Sequence, residues 1–94
     1  MNVRVKLFGF PDLTPDFAGG KEVRVTFSGE TVIDLLKNLV SRVGSEHREL
    51  FFDAQGQISQ MLFIWINGQP VVQRNPNQQL RENDFVELTF FSGG

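Results

Sequence analysis

Few side chains in this sequence could carry out chemistry, and they are scattered along the chain. The single histidine, His47, is flanked by Glu46, Arg48 and Glu49, whereas a metal site needs several converging ligands. The absence of cysteine excludes disulfides, thiolate zinc sites and a cysteine nucleophile. No phosphate-binding loop and no G-x-S-x-G motif is present. We therefore expect no internal active site, no metal and no bound cofactor.

The remaining reactive group is the α-carboxylate of Gly94, which follows Ser92 and Gly93 in the closing stretch FFSGG. Glycine has no Cβ, so two consecutive glycines can enter a narrow channel that other residues would block. Adenylation by ATP would convert this inert carboxylate into a mixed anhydride that a sulfur or nitrogen nucleophile can attack. Because nothing in the chain binds ATP, a separate enzyme must use it. We interpret residues 92–94 as a flexible tail, with Ser92 and Gly93 giving Gly94 its reach, on a domain formed by residues 1–91.

Size and charge narrow the class of protein. The chain has 94 residues, enough for one domain, and its formal net charge of −2 argues against a nucleic-acid partner. Its first residues lack the long apolar region of a signal peptide. No apolar run approaches the roughly 18–20 residues that cross a membrane. We expect a soluble cytoplasmic protein without a membrane partner.

The elements that must position the tail follow an α+β pattern. Apolar residues alternate in residues 2–8, 22–27 and 85–91, which is typical of half-buried strands. Residues 61–66 are almost continuously apolar and predict a strand buried on both faces. Asn67-Gly68 then predicts a tight turn into a short return strand.

One helix is predicted between the second and third strands. The apolar spacing from Val32 to Val43 places a single stripe on one helical face. Thr31 is the expected N-cap, Asp34 its acidic partner, and Gly44 the residue at which the helix ends. The order of elements predicts an α+β domain, with a mixed sheet of four to five strands and one main helix packed on one face. In such an arrangement the last strand can lie beside the first.

Ten phenylalanines are unusual in a chain of this length, and we interpret most of them as core residues. Phe90 shares a strand face with Val86 and Leu88, so we expect it in the core. Phe91 has two possible roles, as a contact to a partner protein or as a core or edge-strand aromatic. Apolar residues exposed on the sheet face away from the helix would form a docking patch. The sequence leaves open which aromatic side chains are exposed: Phe8, Phe63, Trp65 and Phe91.

The chain resembles the ubiquitin-like β-grasp sulfur carriers, the group that holds the molybdopterin synthase small subunit and the thiamine sulfur carrier. The resemblance covers nearly the whole chain and rests on VRVKLFG, ETVIDLLKNL, IWINGQPV, LRENDFVELTF and the terminal GG. It implies a β-grasp fold and a thiocarboxylate on Gly94, made by an E1-like adenylating enzyme that uses ATP and by a persulfide sulfur donor. A second enzyme, similar to the molybdopterin synthase large subunit, then receives the sulfur. The chain itself would be a carrier rather than an enzyme.

The sequence departs from the molybdopterin-type pattern at Phe90 and Phe91, where those carriers commonly have prolines. It is longer than a typical thiamine carrier, mostly in residues 9–20 and 45–60. This length favours a molybdopterin-type carrier, or a less familiar branch of the family that serves another sulfur-containing product. Two alternatives use the same fold. The chain could be a ubiquitin-like modifier that is joined through Gly94 to lysines, or a β-grasp interaction module without chemistry.

Overall fold

A computed structural model describes residues 1–9, 17, 20–71 and 77–91 of the chain. Five strands, one α-helix and one six-residue 3₁₀ helix lie in these ranges. In chain order the elements are β1 (Asn2–Phe8), β2 (Val23–Thr26), α1 (Val32–Val43), a 3₁₀ helix (Ser45–Leu50), β3 (Leu62–Ile66), β4 (Gln69–Pro70) and β5 (Phe85–Phe90). No helix in the described ranges is long and apolar enough to cross a membrane.

The five strands form one mixed sheet in the order β2-β1-β5-β3-β4. The last strand, β5, lies in the centre, parallel to β1 and antiparallel to β3. Val86 pairs with Val5, and Leu88 pairs with Leu7 on one side and Ile64 on the other. These five side chains are buried on the same face because strand residues alternate in direction. The prediction that the last strand lies beside the first is confirmed.

Helix α1 begins and ends where its sequence predicts. The backbone N–H of Asp34 donates to the Thr31 hydroxyl (3.3 Å), and the N–H of Thr31 donates to the Asp34 carboxylate (3.2 Å). This reciprocal capping box satisfies backbone donors that the first turn would otherwise leave free. At the other end the N–H of Gly44 donates to the carbonyl of Val40 (2.9 Å).

One hydrophobic cluster joins the helix to the sheet. The buried face of α1, including Leu35, Leu36 and Leu39, packs in the same cluster as the inward side chains of the strands. The predicted α+β architecture, a mixed sheet with one main helix on one face, is confirmed. The sheet face opposite α1, hereafter the open face, is not covered by any described element.

Two predictions about burial are wrong, because only one face of the sheet is covered. Strand β3 is not buried on both faces, since the Phe63 side chain points to the open face and is 43% exposed. Phenylalanines also divide between core and surface instead of lying mostly in the core. Among described residues, the buried ones are Phe17, Phe27, Phe51 and Phe52, the half-buried ones Phe85 and Phe90, and the exposed ones Phe8, Phe63 and Phe91.

Candidate functional site

Four large apolar side chains are exposed in the described part of the chain, and all lie around the end of β5. Phe8, Met61, Phe63 and Phe91 are between 38% and 61% exposed. Phe8 and Phe63 each pair with Thr89 of β5, so the three residues form a row across the open face. By strand alternation, Met61 and Phe91 share this face with Phe63. We call these four side chains the aromatic patch.

Phe91, the last described residue, is held by its backbone, and most of its surface is exposed. Its N–H donates to the carbonyl of Met61 (2.8 Å), which continues the pairing of β5 with β3 by one residue. Its ring meets the Phe63 ring edge-on, with centroids 6.3 Å apart and an interplanar angle of 89°. At 61% exposure it contributes little to the core. A side chain in this position is available to a partner protein, as one of the two interpretations of Phe91 requires.

Phe90, which we expect in the core, and Trp65, whose exposure the sequence leaves open, are both half-buried. Phe90 lies on the inner face of β5, as predicted, but at the end of the strand where the core does not enclose it fully. Trp65 of β3 lies on the open face and is half-buried. The predicted tail of Ser92, Gly93 and Gly94 lies outside the described residues.

The end of the open face remote from the aromatic patch is polar. The Arg4 guanidinium lies 5.2 Å from the centroid of the Phe85 ring, and the Lys6 ammonium lies 5.9 Å from it. Arg4 also forms an ion pair with Glu22 (3.7 Å) and donates to the carbonyl of Asn83 (3.3 Å). The face therefore changes from charged to aromatic in the direction of the end of β5.

The described residues contain no group of three or more His, Cys, Asp or Glu that could hold a metal ion. His47 lies on the 3₁₀ helix, with Nε2 3.8 Å from the carboxylate of the adjacent Glu46. The Asp53 carboxylate accepts from the N–H groups of Gln55 and Gln57 (both 2.9 Å), so Asp53 shapes a turn.

No protein-family model and no curated protein matches this sequence. Solved structures do match it. SAMP1, small archaeal modifier protein 1 of Haloferax volcanii, is 25% identical, with a TM-score of 0.72 over 100% of this chain and 99% of that one.

Two more distant structures share the fold. A chain of the BexX/CysO complex of Amycolatopsis orientalis is 18% identical, with a TM-score of 0.62 over 98% of both chains. A candidate molybdopterin converting factor, subunit 1, of Pyrococcus furiosus is 22% identical, with a TM-score of 0.62 over 96% of this chain and 97% of that one. The predicted β-grasp fold and the resemblance to ubiquitin-like proteins of this fold are thereby confirmed.

Proposed function

We propose that this chain, which resembles the ubiquitin-like β-grasp sulfur carriers in sequence and in fold, carries sulfur as a thiocarboxylate on Gly94. The observation that carries the proposal is the position of the aromatic patch. It surrounds the end of β5, the strand from which the chain continues into residues 92–94. An enzyme that docks on this patch holds the carrier close to the point where the tail begins.

The proposed chemistry needs partner enzymes, because the chain supplies only the carboxylate of Gly94. An E1-like adenylating enzyme binds ATP and lets the carboxylate attack the α-phosphorus, and pyrophosphate leaves. A persulfide sulfur attacks the acyl adenylate and displaces AMP. A thiol then reduces the acyl disulfide and releases the thiocarboxylate. Gly93 and Ser92 give the carboxylate its reach into the active site of each partner.

The aromatic patch serves as the docking surface in this proposal. Large exposed apolar patches on small proteins commonly mark interaction sites, and aromatic side chains are frequent energetic anchors in such interfaces. The solved neighbour from Amycolatopsis orientalis is a carrier-sized β-grasp chain in a complex with another protein, which supports a protein partner for this fold. We assign the patch to the adenylating enzyme first and to the sulfur-accepting synthase afterwards.

Adenylation is tested by the exchange of labelled pyrophosphate into ATP in the presence of the cognate activating enzyme. The full chain supports exchange, because the acyl adenylate forms and reverts. Deletion of Gly94 abolishes exchange. Lys37→Ala, an exposed change on α1 away from the open face, leaves it unchanged. Equal exchange with and without Gly94 would overturn the proposal.

Molybdopterin is the product that we propose for the transferred sulfur. The length of the chain and the Pyrococcus furiosus neighbour support it. Thiocarboxylated protein would then convert the molybdopterin precursor when mixed with a molybdopterin synthase large subunit. As a control, the same large subunit must accept sulfur from its own carrier. If it does so but does not convert the precursor with this chain, the chain belongs to another sulfur-requiring pathway.

A second candidate function is protein modification, which the 25% identical modifier from Haloferax volcanii favours. In that case the activated Gly94 is transferred to a lysine amine of another protein. Branched peptides that join Gly94 to a lysine Nζ in cell extracts would support it. An interaction module without chemistry can be distinguished from both functions. One residue added after Gly94 would leave its binding intact, whereas a carrier or a modifier would lose its function.

A further inference from the structure

Gly9 lies against the last peptide unit of β5. It follows β1 directly, and since Phe8 pairs with Thr89 in the parallel ladder, Gly9 comes opposite Phe90. Its backbone has φ of +71°, a conformation that favours glycine. A Cβ at this position would lie 2.8 Å from the Phe90 carbonyl oxygen, closer than real Cβ contacts allow.

The same peptide unit is held from its other side. The Phe90 carbonyl and the Phe91 N–H belong to one planar peptide group and point in opposite directions. The carbonyl points toward Gly9, and the N–H donates to the carbonyl of Met61 (2.8 Å). The last described peptide bond is therefore fixed between the end of β1 and the residue before β3.

We propose that Gly9 is a positioning residue for the C-terminal tail: its missing side chain lets the Phe90–Phe91 peptide plane take the orientation that sets the direction in which the chain leaves the sheet. This inference rests on the proposed function, in which the carboxylate three residues beyond Phe91 must reach an active site in the adenylating enzyme. The aromatic patch binds that enzyme, while Gly9 aims the chain. Docking thus depends on the side chains of the patch, Phe91 among them, whereas the direction of the chain depends on the missing side chain of Gly9.

Gly9→Ala tests the inference, with Gly68→Ala as the matched control. Both glycines have positive φ (+71° and +81°), so both substitutions introduce backbone strain. No atom lies within 4 Å of a Cβ at Gly68, whereas a Cβ at Gly9 collides with Phe90. Gly9→Asn is the second variant, because asparagine tolerates positive φ better than alanine and still brings the colliding Cβ.

The first readout needs no partner enzyme. Amide hydrogen exchange at Phe91 becomes about fivefold faster in both Gly9 variants, the change expected when one ordinary hydrogen bond is lost. It stays at the wild-type rate in Gly68→Ala. Wild-type exchange at Phe91 in folded Gly9→Ala or Gly9→Asn would overturn the inference, whatever the result with the enzyme.

The second readout compares kcat with KM, and so separates the direction of the tail from the binding of the enzyme to the patch. In adenylation assays, kcat for the Gly9 variants falls about tenfold or more, since a displacement of about 1 Å at a reacting group can cost even larger factors. KM changes by a smaller factor than kcat, because three of the four side chains of the docking patch, Phe8, Met61 and Phe63, do not belong to the displaced peptide unit. An unchanged kcat would also overturn the inference. If the wild-type chain is not adenylated at all, the proposed function fails, and the exchange rates still decide whether Gly9 sets the geometry at Phe91.

Discussion

Among single residues, the exposed phenylalanines tell most about where a partner protein binds. On the open face, Lys6 and Glu87 occupy neighbouring positions of the sheet and are polar, so the fold does not require aromatic residues there. Phe63 and Phe91 nevertheless expose 43% and 61% of their surface, and their rings rest edge-on against each other. Such a pair is partly pre-ordered for a partner, because each ring restricts the other.

We predict that Phe63→Ala and Phe91→Ala each weaken binding to the activating enzyme by about 1–2 kcal/mol, which is about tenfold in affinity. Stability changes by less than about 1 kcal/mol, because neither ring is buried in the core. Surface plasmon resonance with immobilised enzyme measures the affinity, and denaturant unfolding measures the stability. Lys37→Ala is the control that should change neither. Wild-type affinity in both phenylalanine variants would remove the patch from the docking surface.

At the scale of elements, α1 depends on its capping box. The Asp34 carboxylate accepts from the Thr31 hydroxyl (2.8 Å) and from the backbone N–H groups of Glu30 and Thr31. The hydrogen bond from the Thr31 side chain is the main cause that lowers the pKa of Asp34, followed by the bond from the Glu30 amide. The ionised carboxylate thus stabilises the start of the helix that covers the sheet.

A pH dependence of stability follows from this lowered pKa. Because the folded pKa of Asp34 lies below its unfolded value, its contribution is fully present above that unfolded value, about 4, and is lost as pH falls through the folded pKa. We predict that Asp34→Asn is less stable than wild type near pH 7 and that the difference shrinks toward pH 2. Urea unfolding across this range measures it.

Glu82 has a pKa shifted in the same direction, mainly by its hydrogen bond from the Asn2 side chain. The comparison of wild type with Asp34→Asn removes this contribution, because both chains keep Glu82. A stability difference that stays constant from pH 7 to pH 2 would show that the Asp34 carboxylate does not stabilise the fold through its charge.

At the scale of the whole molecule, one face of the sheet is used for stability and the other for contact. Helix α1 covers one face, and the central strand β5 contributes Val86 and Leu88 to that core. The same strand ends within the aromatic patch on the opposite face. The residues that follow it are therefore anchored to the best-supported strand of the sheet, next to the surface that we assign to partners.

Sequence predicted the local elements better than the exposed face. Thr31, Asp34 and Gly44 act through neighbours along the chain, so the helix limits were predicted correctly. A continuous apolar run such as residues 61–66 does not distinguish a core strand from a docking strand, because both exclude charge. The run therefore predicts a strand buried on both faces and leaves the exposure of Phe63 open. The contact of Gly9 with Phe90 depends on the parallel register of β1 and β5 and on a positive φ, neither of which the sequence specifies.

The central claim, a thiocarboxylate on Gly94, is tested most directly by intact-mass spectrometry. The chain is incubated with ATP, a persulfide donor, a thiol and the cognate activating enzyme. As a positive control, the same enzyme preparation is shown to act on a substrate that is known to react with it. The proposal predicts a mass gain equal to the replacement of one oxygen by sulfur, located at Gly94 by fragmentation. It predicts no gain for a chain extended by one residue. A full-length chain that keeps its carboxylate mass under these conditions would contradict the account.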